Sequence, residues 1–319
     1  MRRWFMPLFA VLLLASAQPV VAAQPEQGVV QDLVDLAGGP CANPEGIAAS
    51  PNGLLYTSGL TGNVCVITLS GEVTRVIPVA PGHALLGDLF VAGQGLFVAD
   101  GGSFTGDGRL LKVDPSTGAV TVLATGFLAP NAITQDHRGT LYVSDSFAGA
   151  IYTVSPDGGG KTPWKADVLL APAGNPPFGA NGVAFDRTQS HLYVANTSTD
   201  KILRIAVNHD GSAAPTVEIF ADGATMGPDA LNGADGIQFD VAGNLYVCAN
   251  QANEIQVLSP AGTLIARYGK NPGDDPMDFP ASPVFHERGV YVANLAFNTP
   301  GRGKVSVLGV PFPGAPIGH

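Results

Sequence analysis

Positive charge is scarce in this chain. Sixteen Lys and Arg stand against 26 Asp and Glu, which leaves a net charge of −10 over 319 residues. Such an acidic surface repels phosphate backbones and anionic headgroups, and no Lys/Arg cluster offsets it, which argues against nucleic acid and anionic membranes as partners. Cations and neutral small molecules remain. Cysteine is scarcer still: Cys41, Cys65 and Cys248 are too few for a disulfide-built scaffold. None shares a motif with a His, so a thiol nucleophile is not indicated. Cys41 and Cys65 are placed to pair if the protein is exported. Cys248 sits in the apolar run Leu245-Tyr246-Val247-Cys248, where a small buried residue serves as well. Helical apolar stripes are also missing. Short Val/Ile/Leu/Tyr runs alternate instead with 41 Gly and 26 Pro, the pattern of many short strands joined by tight turns.

The one longer apolar run is at the start. Arg2 and Arg3 precede Trp4 to Ala15, and small residues follow, with cleavage expected after Ala17 or Ala23. Residues 1–23 therefore read as an export signal. The run falls short of the roughly 20 residues of a membrane span, so no membrane attachment is expected after cleavage. No Cys lies at the cleavage region to take a lipid. Residues 24–319 are expected as one domain, in the periplasm or outside the cell.

One phrase recurs along that domain: a polar residue, Gly or Ala, an apolar residue, a turn, then an aromatic strand. Its copies run from Glu45-Gly46-Ile47 to Leu55-Tyr56-Thr57, from Asn131-Ala132-Ile133 to Leu141-Tyr142-Val143, from Asn181-Gly182-Val183 to Leu192-Tyr193-Val194, and from Asp235-Gly236-Ile237 to Leu245-Tyr246-Val247. Two weaker copies start near Gly87-Asp88-Leu89 and Pro280-Ala281. Third and fourth strands follow most copies. Six four-stranded units at a spacing of about 40 to 55 residues predict an all-β, six-bladed β-propeller. The last copy lacks a fourth strand, and Val29 to Leu36 is available to supply it and close the ring.

Equivalent positions in different blades converge on the propeller axis. The offset from the polar residue to the following Leu is ten for Glu45, Asn131 and Asp235 and eleven for Asn181, which predicts one level at the channel mouth. Asn and Asp before Gly also suit turns, but Glu does not. Two carboxylates and two amide oxygens are costly to bury without a counter-charge. They suit a hard divalent cation, Ca²⁺ first, with Mg²⁺ or Mn²⁺ as alternatives. The absence of His and Cys from the set argues against a typical Zn²⁺ site. Asp235 is the expected base or nucleophile. His83, Asp88 and His286 are further substrate-binding candidates near the same mouth.

The phrases Pro44-Glu45-Gly46, Pro130-Asn131, Ala180-Asn181-Gly182 and Ala234-Asp235-Gly236 resemble the gluconolactonase / senescence-marker-protein family, related to diisopropyl fluorophosphatase and paraoxonase. The resemblance runs from about Val29 to Val310. It implies that Glu45, Asn181 and Asp235 bind a divalent metal, that Asn131 binds metal or substrate, and that the reaction is hydrolysis of a lactone or phosphoester. Sugar-lactone members commonly carry an Arg two residues before the first Asn and a polar residue after it. Here those positions are Ala129 and Ala132, which favours a more apolar lactone or ester. The rival expectation is a non-catalytic exported propeller used for binding, since Gly236 to Gly262 also reads like an NHL-type repeat. Matched carboxylates speak for the enzyme, because a scaffold has no need of them.

Overall fold

In the computed structural model, which describes Met1 and residues 25–174, 177–270 and 276–317, the chain forms six four-stranded antiparallel sheets. The expected export signal lies outside the described residues, apart from Met1. Among the described residues no helix is long and apolar enough to cross a membrane.

Strand β1 (Val30–Asp35) precedes the first blade, which contains β2 (Pro44–Ala49), β3 (Leu54–Gly59), β4 (Asn63–Thr68) and β5 (Val73–Pro78). Blade two holds β6 (Ala84–Val91), β7 (Gly95–Gly102), β8 (Gly108–Val113) and β9 (Val120–Phe127). Blade three holds β10 (Pro130–Gln135), β11 (Leu141–Asp145), β12 (Ala150–Val154) and β13 (Lys161–Ala166). Blade four holds β14 (Ala180–Phe185), β15 (His191–Asn196), β16 (Lys201–Val207) and β17 (Ala213–Asp222). Blade five holds β18 (Ala234–Phe239), β19 (Leu245–Ala249), β20 (Glu254–Leu258) and β21 (Leu264–Tyr268). Blade six is built from β22 (Pro280–His286), β23 (Gly289–Asn294) and β24 (Lys304–Gly309), with β1 as its fourth strand. The N-terminal strand pairs antiparallel with β24, Val30 opposite Leu308 and Asp35 opposite Lys304, and so closes the ring.

The recurring Leu-Tyr pair shows what holds the blades together. Successive residues of a strand face opposite sides of their sheet. In blade one Leu55 packs toward blade six and Tyr56 toward blade two. In blade four Leu192 packs toward blade three and Tyr193 toward blade five. The same alternation runs round the ring, through Leu96 and Phe97, Leu141 and Tyr142, Leu245 and Tyr246, and Val290 and Tyr291. The core is therefore divided into six wedges, one in each seam between neighbouring blades. No sheet can bury both faces without two neighbours, which is why the unit repeats.

Cys41 and Cys65 are disulfide-bonded, as the spacing allowed, with Cα atoms 6.1 Å apart. The bond ties the segment between β1 and β2 to β4, beside the seam where the ring closes. Cys248 is buried and free.

Two outcomes follow from this packing. Leu192, with no exposed surface, fills one wedge, so Leu192→Ala should cost about 2 to 5 kcal/mol in urea unfolding. Replacing Cys41 and Cys65 together by Ser removes a closed loop of 24 residues and should cost about 3 kcal/mol, read as a lower thermal midpoint.

Candidate metal centre in the channel

The first strand of every blade is interrupted at one level by a register shift. It falls between Pro44 and Gly46, Leu85 and Gly87, Pro130 and Ile133, Ala180 and Val183, Ala234 and Ile237, and Pro280 and Ser282. Bulges re-aim side chains next to functional sites. The residues carried at these six bulges include Glu45, Leu86, Asn131, Asn181, Asp235 and Ala281. The four residues expected from sequence thus share one level, and each is no more than 4% exposed. They are enclosed within the channel and not open at its mouth.

The glycine of the phrase sets how tightly the strands meet here. A Cβ on Gly46 would stand 2.9 Å from Asp88 Oδ2, and one on Gly236 would stand 2.6 Å from the Ala281 carbonyl oxygen. On Gly87 or Gly182 it would overlap the carbonyl oxygen of Asn131 or Asp235 in the next blade. These glycines are required by close approach of neighbouring first strands.

Each ring residue has a defined set of partners. Asn131 donates from Nδ2 to Glu45 Oε1 at 3.4 Å. Asn181 donates from Nδ2 to Thr197 Oγ1 at 2.9 Å, and Thr197 in turn donates to the Ala234 carbonyl at 2.8 Å. This anchor leaves the Asn181 carbonyl oxygen free. Asp235 accepts at Oδ2 from Asn250 Nδ2 at 3.0 Å. Apart from the Thr199 hydroxyl in the loop after β15, the buried side-chain oxygens with no hydrogen-bond partner among the described residues are Glu45 Oε2, Asn181 Oδ1, Asp235 Oδ1, Asn250 Oδ1 and Asp88 Oδ2. All five are acceptors. Buried polar groups are normally satisfied, so an all-acceptor set calls for a cation. Among the described residues no three His, Cys, Asp or Glu side chains group as a metal site by themselves. The Asn carbonyl oxygens are therefore essential to the set, and oxygen donors of this kind suit Ca²⁺.

The electrostatics agree. Burial raises the Glu45 carboxyl well above its usual range, and the charges of Asp235 and Asp88 raise it further. Burial also raises Asp235, against the lowering effect of Asn250 and Asn181. Asp88 is pushed up to about 7 by burial, with Ser58 Oγ donating to Oδ1 at 2.9 Å in opposition. Burial raises the Cys248 thiol well above its normal range, and the nearby Asp235 and Glu45 add to this, so it is an inert thiol behind the ring.

Of the further candidates only Asp88 comes near the ring, close enough for its charge to raise Glu45. The strand register makes Leu86 the ring-level residue of blade two, with Asp88 deeper in the channel, against Gly46. His83 lies at the ring end, just before β6, and is held by Asp100. Its Nδ1 is 3.0 Å from Asp100 Oδ1, and Arg109 Nε donates to Asp100 Oδ2 at 2.7 Å. His286 closes β22 at the opposite end. There it lines a cavity of about 830 Å³ with Pro51, Gln94 and Arg138, under the C-terminal residues Pro313 to Ile317. Ala132 also lines that cavity, and Ala129 is buried with its N–H donating to Asp145 Oδ1, so neither shapes an open pocket over the ring. Asn250, Thr197 and Ser58 escaped the sequence reading. Asn250 and Thr197 both stand five residues after the Leu of their blade, a second in-register polar position that would have found them.

Residues 175–292 match the family described as SMP-30/Gluconolactonase/LRE-like region, a stretch that includes Asn181 and Asp235. No curated protein matches the chain. Among solved structures, the chain is similar to a calcium-binding protein, regucalcin, from Agrobacterium tumefaciens, at 19% identity and a TM-score of 0.65, covering 88% of this chain and 94% of that one. It is also similar to a gluconolactonase from Xanthomonas campestris, at 20% identity and a TM-score of 0.68, covering 92% and 94%. A luciferin-regenerating enzyme gives 15% identity and a TM-score of 0.68, covering 90% and 97%. At these identities the likeness shows the propeller fold.

The raised carboxyls set the sign of a pH effect. Without a cation, Glu45, Asp88 and Asp235 bind protons more tightly folded than unfolded. Above the ordinary range near about pH 4 the fold therefore holds more protons than the unfolded chain, and stability falls as pH rises toward about 7. Chelator-treated protein should melt at a higher temperature at about pH 5 than at about pH 8, and Ca²⁺ should raise the value at about pH 8 most. A chelator-treated midpoint that climbs with pH would contradict this.

Proposed function

We propose that this chain, whose residues 175–292 form an SMP-30/gluconolactonase/LRE-like region, is a divalent-metal-dependent hydrolase of a lactone or related ester. The carrying observation is the set of buried, unpartnered acceptor oxygens on Glu45, Asn181 and Asp235. The family match and the gluconolactonase among the structural neighbours support a lactonase-type enzyme. The calcium-binding neighbour supports Ca²⁺ as the ion.

Glu45, Asn181 and Asp235 would hold the cation. When bound, it would supply Lewis-acid polarisation of the ester carbonyl and stabilise the charge that develops there. The protein's own groups have distinct tasks. Thr197 fixes the Asn181 amide with its carbonyl oxygen toward the site. Asn131 turns its Nδ2 toward Glu45, which leaves it the ring residue suited to donate a hydrogen bond to substrate. Asn250 orients Asp235 through Oδ2 and leaves Oδ1 without a partner. We assign Asp235 as the proton acceptor for the attacking water: Oδ1, the oxygen without a partner, would face the ion, and Oδ2, which Asn250 orients, would take the proton.

The Cys41–Cys65 bond supports export to an oxidising compartment, the periplasm or outside the cell, as disulfides persist in such places.

The test is metal content and turnover on a panel of lactones and aryl esters, for wild type, Glu45→Gln and Asp235→Asn. Wild type should hold one divalent ion per chain. Glu45→Gln should lose it. Asp235→Asn should lower kcat by at least about 100-fold. A wild type that holds no divalent ion sinks the proposal. Metal binding without turnover across the panel would make the propeller a binding module.

A further inference from the structure

The loops at the ring end of the channel carry an unusual group of phenylalanines. Each first strand starts at that end, so the connections between blades and between second and third strands lie there too. Phe104 is in the loop from β7 to β8, Phe147 in the loop from β11 to β12, and Phe178 just before β14. Their rings form a continuous run, with centroids 5.7 Å apart for Phe104 and Phe147 and 5.2 Å for Phe147 and Phe178. The run reaches inward. A Cβ on Gly101 would stand 3.0 Å from Leu86 Cδ1 and 3.2 Å from Phe104 Cε1. Leu86 is the ring-level residue of blade two. An apolar path thus leads from the level of Glu45 and Asn131 out to the surface, where Phe104 is 37% exposed and the neighbouring Leu128 is 45% exposed.

Phe104 holds this place against its local preference. Its φ is +62°, in the left-handed region that a bulky side chain rarely adopts. Strained positions cluster at ligand clamps, and strain with little burial in return is a cost that folding does not explain. Phe279, at the same end, repeats the pattern with a φ of +55° and a ring stacked 5.3 Å from the half-exposed Phe297.

We propose that Phe104, Phe147 and Phe178 form a binding wall for an alkyl or aryl substituent of the substrate, so that the enzyme acts on lactones or esters with an apolar side group of several carbons and discriminates against small or polyhydroxylated lactones. The inference rests on the hydrolase reading for the identity of the ring-bound group, and on the collar's own geometry for the apolar tail. Each methylene laid against the wall leaves water, so affinity should climb with tail length.

Two measurements test it on the calcium-saturated protein. Calorimetry compares pyrrolidin-2-one with 5-hexylpyrrolidin-2-one, lactams that resist hydrolysis. Turnover compares γ-butyrolactone with γ-decalactone. The hexyl lactam should bind at least about tenfold more tightly than the parent, and γ-decalactone should show a correspondingly lower KM. Phe104→Gly should erase most of that preference while its thermal midpoint stays level or rises, because glycine accepts the positive φ. A purely structural Phe104 would instead lower the midpoint and leave the preference intact, which overturns the proposal. Equal binding of the two lactams by wild type overturns it as well. Turnover of both lactones with no preference removes the wall and keeps the hydrolase. Tight, Phe104-dependent binding of the hexyl lactam with no lactone turnover removes the hydrolase and keeps the wall.

Discussion

The distance of closest approach between neighbouring first strands controls the rest of this molecule. At the ring level there is no room for a Cβ between Gly46 and Asp88, Gly87 and Asn131, Gly182 and Asp235, or Gly236 and Ala281. Those contacts set the bore of the channel. A wider bore would leave Glu45, Asn181 and Asp235 as separate, solvated polar groups. The narrow one makes them a single buried set of acceptors. Concentrating oxygens without donors is costly, and the proposed cation would offset that cost. The six wedges of core outside the ring hold the strands at that distance, so packing far from the axis has a direct effect on the electrostatics at the axis.

The same narrowness divides the channel. Ring oxygens, Phe collar and the His83–Asp100–Arg109 cluster belong to the end where the first strands start. The large cavity, His286 and the C-terminal residues belong to the other. Asp88, below the ring, is the carboxylate between them. Volume is a poor guide to chemistry here: the cavity of about 830 Å³ is lined by residues that follow the ring, while the chemically demanding atoms lie in the constriction above it.

Much of this was legible in the residues. Leu-Tyr pairs betray the blades because each pair serves two seams, and period-two burial on both faces is hard to hide. The closing strand was legible by subtraction, since one copy was a strand short and Val30–Asp35 was unclaimed. Glu45, Asn131, Asn181 and Asp235 were legible because their blades share nearly the same offset to Leu. Blade two was misread for a chemical reason: its ring position, Leu86, keeps the ten-residue offset to Leu96 but is apolar, so the copy was started at the neighbouring Gly87-Asp88-Leu89. His286 was misplaced because nearness to the phrase does not say which end of a strand a residue occupies. The phenylalanine collar left no trace, since loops carry no periodicity and a positive φ at Phe104 contradicts local preference.

Closure by β1 also makes the site depend on both ends of the propeller. β1 has its partner in β24, which follows all the intervening blades in the chain. Glu45 in blade one and Asp235 in blade five share one level only because the intervening blades curve round and the seam between blades six and one is closed. A chain cut short before Lys304 would carry every ring residue named here yet leave its first and last blades unjoined. The set of oxygens in this architecture is therefore a property of the finished circle: a fragment, however long, does not possess a fraction of it.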